Sequence, residues 1–235
     1  MQIIIEERVP IVFTSAGNPK LWTSKLQSEG IVVAHLVSSS KFAQKSQEAG
    51  VDAIVAEGFE AGGHNGREET TTLSLIPQVR SSVDLPLMAA GGIGCGRSML
   101  AAFALGAEGV QVGTRFALTD ESSASELFKQ RCVNLPEGDT ILSLKKVSPT
   151  RLIKNEFYYQ IQELEDKGAS AEEIRELLGR GRTRKGIFEG DLVDGELEIG
   201  QIASSIPSII SAGQVVKEMI SEFNEIAVDM CNMKF

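Results

Sequence analysis

Five short, largely apolar runs begin near residues 9, 31, 52, 86 and 109, and a helix-forming stretch follows each of them. Val9–Ser15 leads into Asn18-Pro19, where a proline in the first turn opens a helix running to about Glu29 and Gly30 stops it. Ile31–Val37 precedes a helix over Lys41–Ala49, closed by Gly50, and Asp52–Ala56 precedes one over Leu73–Ser82. Leu85–Ala90 precedes Arg97–Leu105, ended by Gly106, and Gly109–Val112 precedes a helix from about Ser123 to Val133. The runs are too continuously apolar for strands with one wet face, so they predict a parallel sheet buried on both sides by helices. Units of about 20–35 residues have the size of right-handed βα crossovers. With every special loop following a strand, the pattern predicts an α/β fold of TIM (β/α)8-barrel type, with a doubly wound open sheet as the alternative.

Five units do not close an eight-stranded barrel. The expectation is a partial barrel over residues 1–133, truncated at its N-terminal side, with Val9–Ser15 at an uncovered edge. Such an edge predicts self-association into a homo-oligomer or poor solubility.

Composition narrows the function. With 42% hydrophobic and 23% charged residues the chain is of ordinary globular type, and no apolar run approaches the roughly 20 residues of a membrane span. The formal charge of −9 argues against nucleic-acid binding. Cys95, Cys132 and Cys231 are few and widely spaced, which predicts neither a disulfide framework nor a metal site and points to a cytoplasmic location.

Chemistry concentrates at the strand ends. Glu57–Gly66 carries four glycines in ten residues and His64, one of only two histidines in the chain. A titratable imidazole on a glycine-rich loop after a strand is where an α/β enzyme would put a base, the alternative being a surface histidine on a loop. His35, inside an apolar run, reads instead as a core or strand-end residue. Gly91-Gly92-Ile93-Gly94 lacks the spacing of a dinucleotide fingerprint. Together with Gly113-Thr114 it suits a phosphate site built from loop amides at two successive strand ends, the alternative being tight turns alone.

Residues 134–235 read as a helical extension packed on the barrel. Asp139–Val147 is mixed, Pro149–Lys167 looks helical, and Ser170-Ala-Glu-Glu173 is a capping box opening a helix over Ala171–Leu178. The Arg180–Lys185 cluster puts four positive charges in six residues, a solvated loop or a contact for an acidic partner or a phosphate. From Gly200-Gln201 an amphipathic stretch runs to about Val228.

Four segments, in this order, resemble the nitronate monooxygenase (2-nitropropane dioxygenase-like) family, which includes the flavin-dependent enoyl-acyl-carrier-protein reductases. They are Thr14-Ser-Ala-Gly-Asn-Pro19, Ala56-Glu-Gly-Phe-Glu-Ala-Gly-Gly-His-Asn-Gly66, Ala89-Ala-Gly-Gly-Ile93 and Gly109-Val-Gln-Val-Gly-Thr-Arg-Phe116. The resemblance implies non-covalent FMN, its phosphate on Gly91, Gly92, Gly113 and Thr114, and Ser15, Ala16, Gly17 and Gln111 lining the flavin. Glu57, Gly62, Gly63 and Ala90 complete the implied cofactor contacts, and His64 is the implied catalytic residue. The implied activity is oxidation of alkyl nitronates with O2. Two alternatives stand beside it: reduction of an enoyl thioester on acyl carrier protein with NAD(P)H as co-substrate, and an inactive flavin-binding fragment.

Overall fold

A computed structural model describes residues 1–232; the last three residues of the expected extension, 233–235, lie outside it. In chain order the elements begin with α1 (Gln2–Glu6), β1 (Ile11–Thr14), α2 (Thr23–Ser28), β2 (Val32–Val37) and α3 (Ser40–Glu48). They continue with β3 (Ala53–Glu57), β4 (Gly63–His64), α4 (Thr72–Arg80), β5 (Leu87–Ala90), α5 (Gly96–Ala104), β6 (Gly109–Gln111) and α6 (Thr114–Ala117). Then come α7 (Glu126–Val133), β7 (Thr140–Ser143), β8 (Thr150–Ile153), α8 (Glu156–Asp166), α9 (Ala171–Leu178) and α10 (Ala212–Cys231).

The main sheet has the order β1-β2-β3-β5-β6, every neighbouring pair parallel. Each new strand adds on the same side of its predecessor, so there is no order reversal of the doubly wound kind. The sheet is a half-barrel of βα units. Register divides the strand residues between two faces. Val12, Val33, Ile54 and Leu87 join the larger core beneath the helices, each side chain contributing roughly 1.5–3 kcal/mol of burial. Ala34, Val55 and Ala90 form a smaller cluster on the inner face. There Ile11, Phe13 and Val32 stand 52%, 54% and 43% exposed toward the β1 edge.

Local signals explain the helix boundaries. Ser39 caps α3 through Phe42 N, Asn155 caps α8 through Tyr158 N, and Ser170 with Glu173 closes the expected capping box on α9. The N-terminus of α5 is capped from far away: Glu222 Oε2 on α10 accepts from the Gly96 amide at 2.7 Å. A Cβ on Gly96 would lie 2.3 Å from the Met219 carbonyl oxygen, so glycine lets the two helices touch. An edge-on Phe103–Phe223 pair, centroids 5.5 Å apart, extends that contact.

The region after residue 134 is not wholly helical. Thr140–Ser143 and Thr150–Ile153 pair antiparallel, and β8 also pairs with β4, forming the three-stranded sheet β4-β8-β7. All four residues of β8 are buried. The expectation of helix from Pro149 therefore holds only from Glu156, because strand pairing with the His64 loop wins over local propensity.

Candidate functional site

The sheet brings the three glycine-rich strand ends to one rim. Glu57, Ala90 and Gln111 are aligned neighbours on the last residues of β3, β5 and β6. Alternation along the strands turns all three toward the inner face. Two cavities open on this rim, and Glu57 lines both. Burial pushes its carboxyl up to about 7.

The smaller cavity, about 270 Å³, lies over the glycines and is lined by Gly62, Gly63, Ala90, Gly92, Gln111 and Thr114 among others. Gly91 and Gly92 have φ of +86° and +70°, in the left-handed region, and a Cβ on Gly91 would meet the Gly58 carbonyl oxygen at 2.8 Å. Gly113 has no atom within 4 Å of the place a side chain would occupy. The amides of Gly91, Gly92 and Gly113 donate to no protein acceptor among the described residues. Glycine amides without a protein acceptor beside one cavity are candidate donors for an anion such as a phosphate.

The wider cleft, about 690 Å³, holds Ser15, Ala16 and Gly17 from the β1 end together with His35, Glu57 and His64. Ala16 sits at φ +52°, a conformation that costs a non-glycine residue about 1–2 kcal/mol. His35 is 6% exposed, its Nδ1 2.7 Å from the Thr14 hydroxyl, and burial lowers its pKa. It is thus a buried strand residue as expected, yet it also forms cleft wall.

His64 is exposed on β4, while the glycines before it are tightly enclosed. A Cβ on Gly62 would lie 2.4 Å from the Ile199 carbonyl carbon, and one on Gly63 2.6 Å from Glu198 Oε2. These glycines admit a crossing chain; they do not simply leave empty space around the histidine. The loop is also tied to β8: His64 lies opposite Thr150, and the Asn65 amide donates to the Pro149 carbonyl at 2.8 Å.

Several contributors were not singled out from the sequence. Glu60 accepts from the Thr72 amide at 2.9 Å and from its hydroxyl at 2.8 Å, which holds the loop onto α4. Its position inside the Glu-Ala-Gly-Gly-His segment was the available signal. Thr183 Oγ1 lies 3.0 Å from Glu196 Oε2 and 2.8 Å from Glu198 Oε1. Burial, then the neighbouring Glu198, raises the Glu196 pKa, and nothing local in the sequence announces this pair. The basic cluster is largely satisfied internally. Arg182 binds the Leu177, Leu178 and Asp194 carbonyls, Arg184 pairs with Glu189, and Lys185 pairs with Asp191.

Comparison with known proteins agrees with this layout. The family model described as nitronate monooxygenase matches residues 1–222. A probable nitronate monooxygenase of Staphylococcus saprophyticus is 32% identical over 237 residues, covering 96% of this chain and 66% of the relative. FabK from Thermotoga maritima superposes with a TM-score of 0.92 at 39% identity, covering 97% of this chain and 72% of that one. Nitroalkane oxidase from Streptomyces ansochromogenes superposes at 0.81 with 28% identity, over 97% of this chain and 68% of that one. The chain spans about two thirds of the length of the first of these curated relatives and 42% of another, from Staphylococcus aureus. A family model spanning nearly the whole chain, with the matching strand ends gathered on one rim, shows that the chain belongs to the nitronate monooxygenase family.

Proposed function

We propose that the site serves an FMN-dependent oxidoreductase that oxidises alkyl nitronates with O2. The observation that carries this reading is the rung Glu57–Ala90–Gln111, with open glycine amides beyond it and His64 in the cleft that Glu57 shares. Gly91, Gly92, Gly113 and Thr114 would hold the FMN phosphate, and the three glycine amides, which have no protein acceptor among the described residues, fit that group. Ala90 and Gln111 would meet the ring system, with Ser15, Ala16 and Gly17 reaching it from the β1 end. Bound FMN supplies a two-electron acceptor that passes those electrons to dioxygen. Where the substrate arrives as the neutral nitroalkane, His64 would accept its α-proton and so deliver the nitronate that is oxidised, a role worth about 10²–10⁴ in rate. Glu57, largely shielded from solvent, keeps its proton up to near neutral pH and presents an O–H donor between the two cavities.

The family resemblance extends to NAD(P)H-dependent enoyl-thioester reduction, and the likeness to FabK keeps that second reading in view. The satisfied charges of the Arg180–Lys185 cluster give little support to a docked acyl carrier protein. Oxygen uptake with an alkyl nitronate is the expected outcome for the FMN-loaded chain. Rapid flavin bleaching by NAD(P)H, with enoyl-thioester turnover, would favour the second reading. FMN bound without turnover of either substrate would favour an inactive flavin-binding fragment. His64→Ala is expected to keep FMN and fold while losing at least about 10²-fold in turnover of the neutral nitroalkane. His35→Ala is expected to act mainly through stability. Unchanged turnover in His64→Ala removes the assignment.

A further inference from the structure

Arg151 is among the largest fully buried side chains, at 1% exposure. A buried guanidinium ordinarily faces a carboxylate. Here Nε and Nη2 both donate to one main-chain oxygen, the Phe59 carbonyl, at 3.1 and 3.0 Å. The guanidinium carbon lies 4.4 Å from the centroid of the Phe59 ring, and Nη1 reaches the Thr140 hydroxyl at 3.3 Å. Asn65 Nδ2 donates to the same Phe59 oxygen at 3.3 Å and to the Ala61 carbonyl at 3.0 Å. The Arg151 backbone, meanwhile, lies opposite Gly63. One residue therefore grips both ends of the Phe59–His64 loop, the start by its side chain and the end by its strand.

We propose that Arg151 is the positioning residue of the site, holding the His64 loop in working geometry through the forked hydrogen bond to the Phe59 carbonyl. The fork is what matters. Lysine has no planar pair of donors, so charge alone does not replace it. A displacement of about 1 Å at a catalytic group can cost about 10²-fold, with little effect on substrate binding. The link to turnover rests on the His64 reading; the clamp itself does not.

The test compares Arg151→Lys and Arg151→Met with the unmodified chain, reading amide hydrogen exchange over residues 59–65 and turnover with the neutral nitroalkane, whose α-proton His64 must take. Exchange in that loop is expected to quicken at least about 10-fold in both variants while the parallel sheet stays protected. The kcat is expected to fall about 10–100-fold at nearly constant KM. In Arg151→Ala, low-millimolar guanidinium ion should restore part of the lost kcat where equal sodium chloride does not. If Arg151→Met fails to fold, Arg151→Lys decides alone. Wild-type loop exchange in Arg151→Lys overturns the clamp. A loosened loop with unchanged kcat, where His64→Ala is inactive, overturns the positioning role. If His64→Ala is itself fully active, the functional reading falls, and loop exchange still upholds or overturns the clamp.

Discussion

The Gly200 amide donates to the Thr114 hydroxyl at 3.0 Å, joining residues 86 apart in sequence at the edge of the glycine cradle. A Cβ on Gly200 would sit 2.6 Å from that hydroxyl, so the approach depends on glycine. Thr114→Val leaves the Gly200 donor without its acceptor, at a cost of about 1–3 kcal/mol if water does not replace it. FMN affinity is expected to fall roughly 10-fold or more in that variant. In the unmodified chain FMN should bind far better than riboflavin, which lacks the phosphate. Fluorescence titration checks both, and equal affinities for the two flavins would discard the phosphate cradle.

Gly62→Ala tests whether close packing, and not loop freedom, fixes that glycine. Its new methyl would press on main chain at Ile199 and Gly200, 2.4 and 2.5 Å away, where no side-chain rotation relieves it. A loss of about 1–3 kcal/mol in unfolding free energy is expected, with weakened FMN binding. Denaturation that is indistinguishable from the parent chain would show that the 198–200 segment moves aside freely.

Glu57 predicts a pH dependence of defined sign. Burial raises its folded-state pKa to about 7, against an ordinary value of 4.5. Between those values the folded protein holds a proton that the unfolded chain releases. Its contribution is therefore complete below about pH 4.5 and lost as pH rises through about 7, by about 3 kcal/mol in all. In the flavin-free protein, Glu57→Gln should become more stable relative to the parent across this window and level off above it. Chemical denaturation at pH 4.5, 6 and 7.5 measures the difference. A difference that does not change with pH would show the carboxyl to be well solvated.

The β1 edge is unpaired in the described sheet, and Ile11, Phe13 and Val32 stand exposed beside it. Concentration-dependent self-association is expected in sedimentation velocity, and Phe13→Glu should reduce it with little change in stability. A monodisperse monomer at every concentration would refute the expectation.

The order of βα units, the three glycine-rich strand ends, the capping box at Ser170 and the candidacy of His64 were legible from residue order. Each rests on a local rule: apolar runs build strands, glycine takes positive φ, and a serine with a glutamate three residues on closes a helix start. The lateral alignment of Glu57, Ala90 and Gln111 comes only from strand register, which pairs residues far apart in the chain. The split into two cavities meeting at Glu57, the hairpin that steadies His64 and the Arg151 grip on Phe59 also belong to tertiary structure. Glycine 62 shows the boundary most clearly. As a letter it promises conformational freedom, but the Ile199 main chain that makes glycine necessary lies in a segment no local pattern connects to it. Short-range preference sets which elements form, whereas long-range packing decides which of their ends become a site.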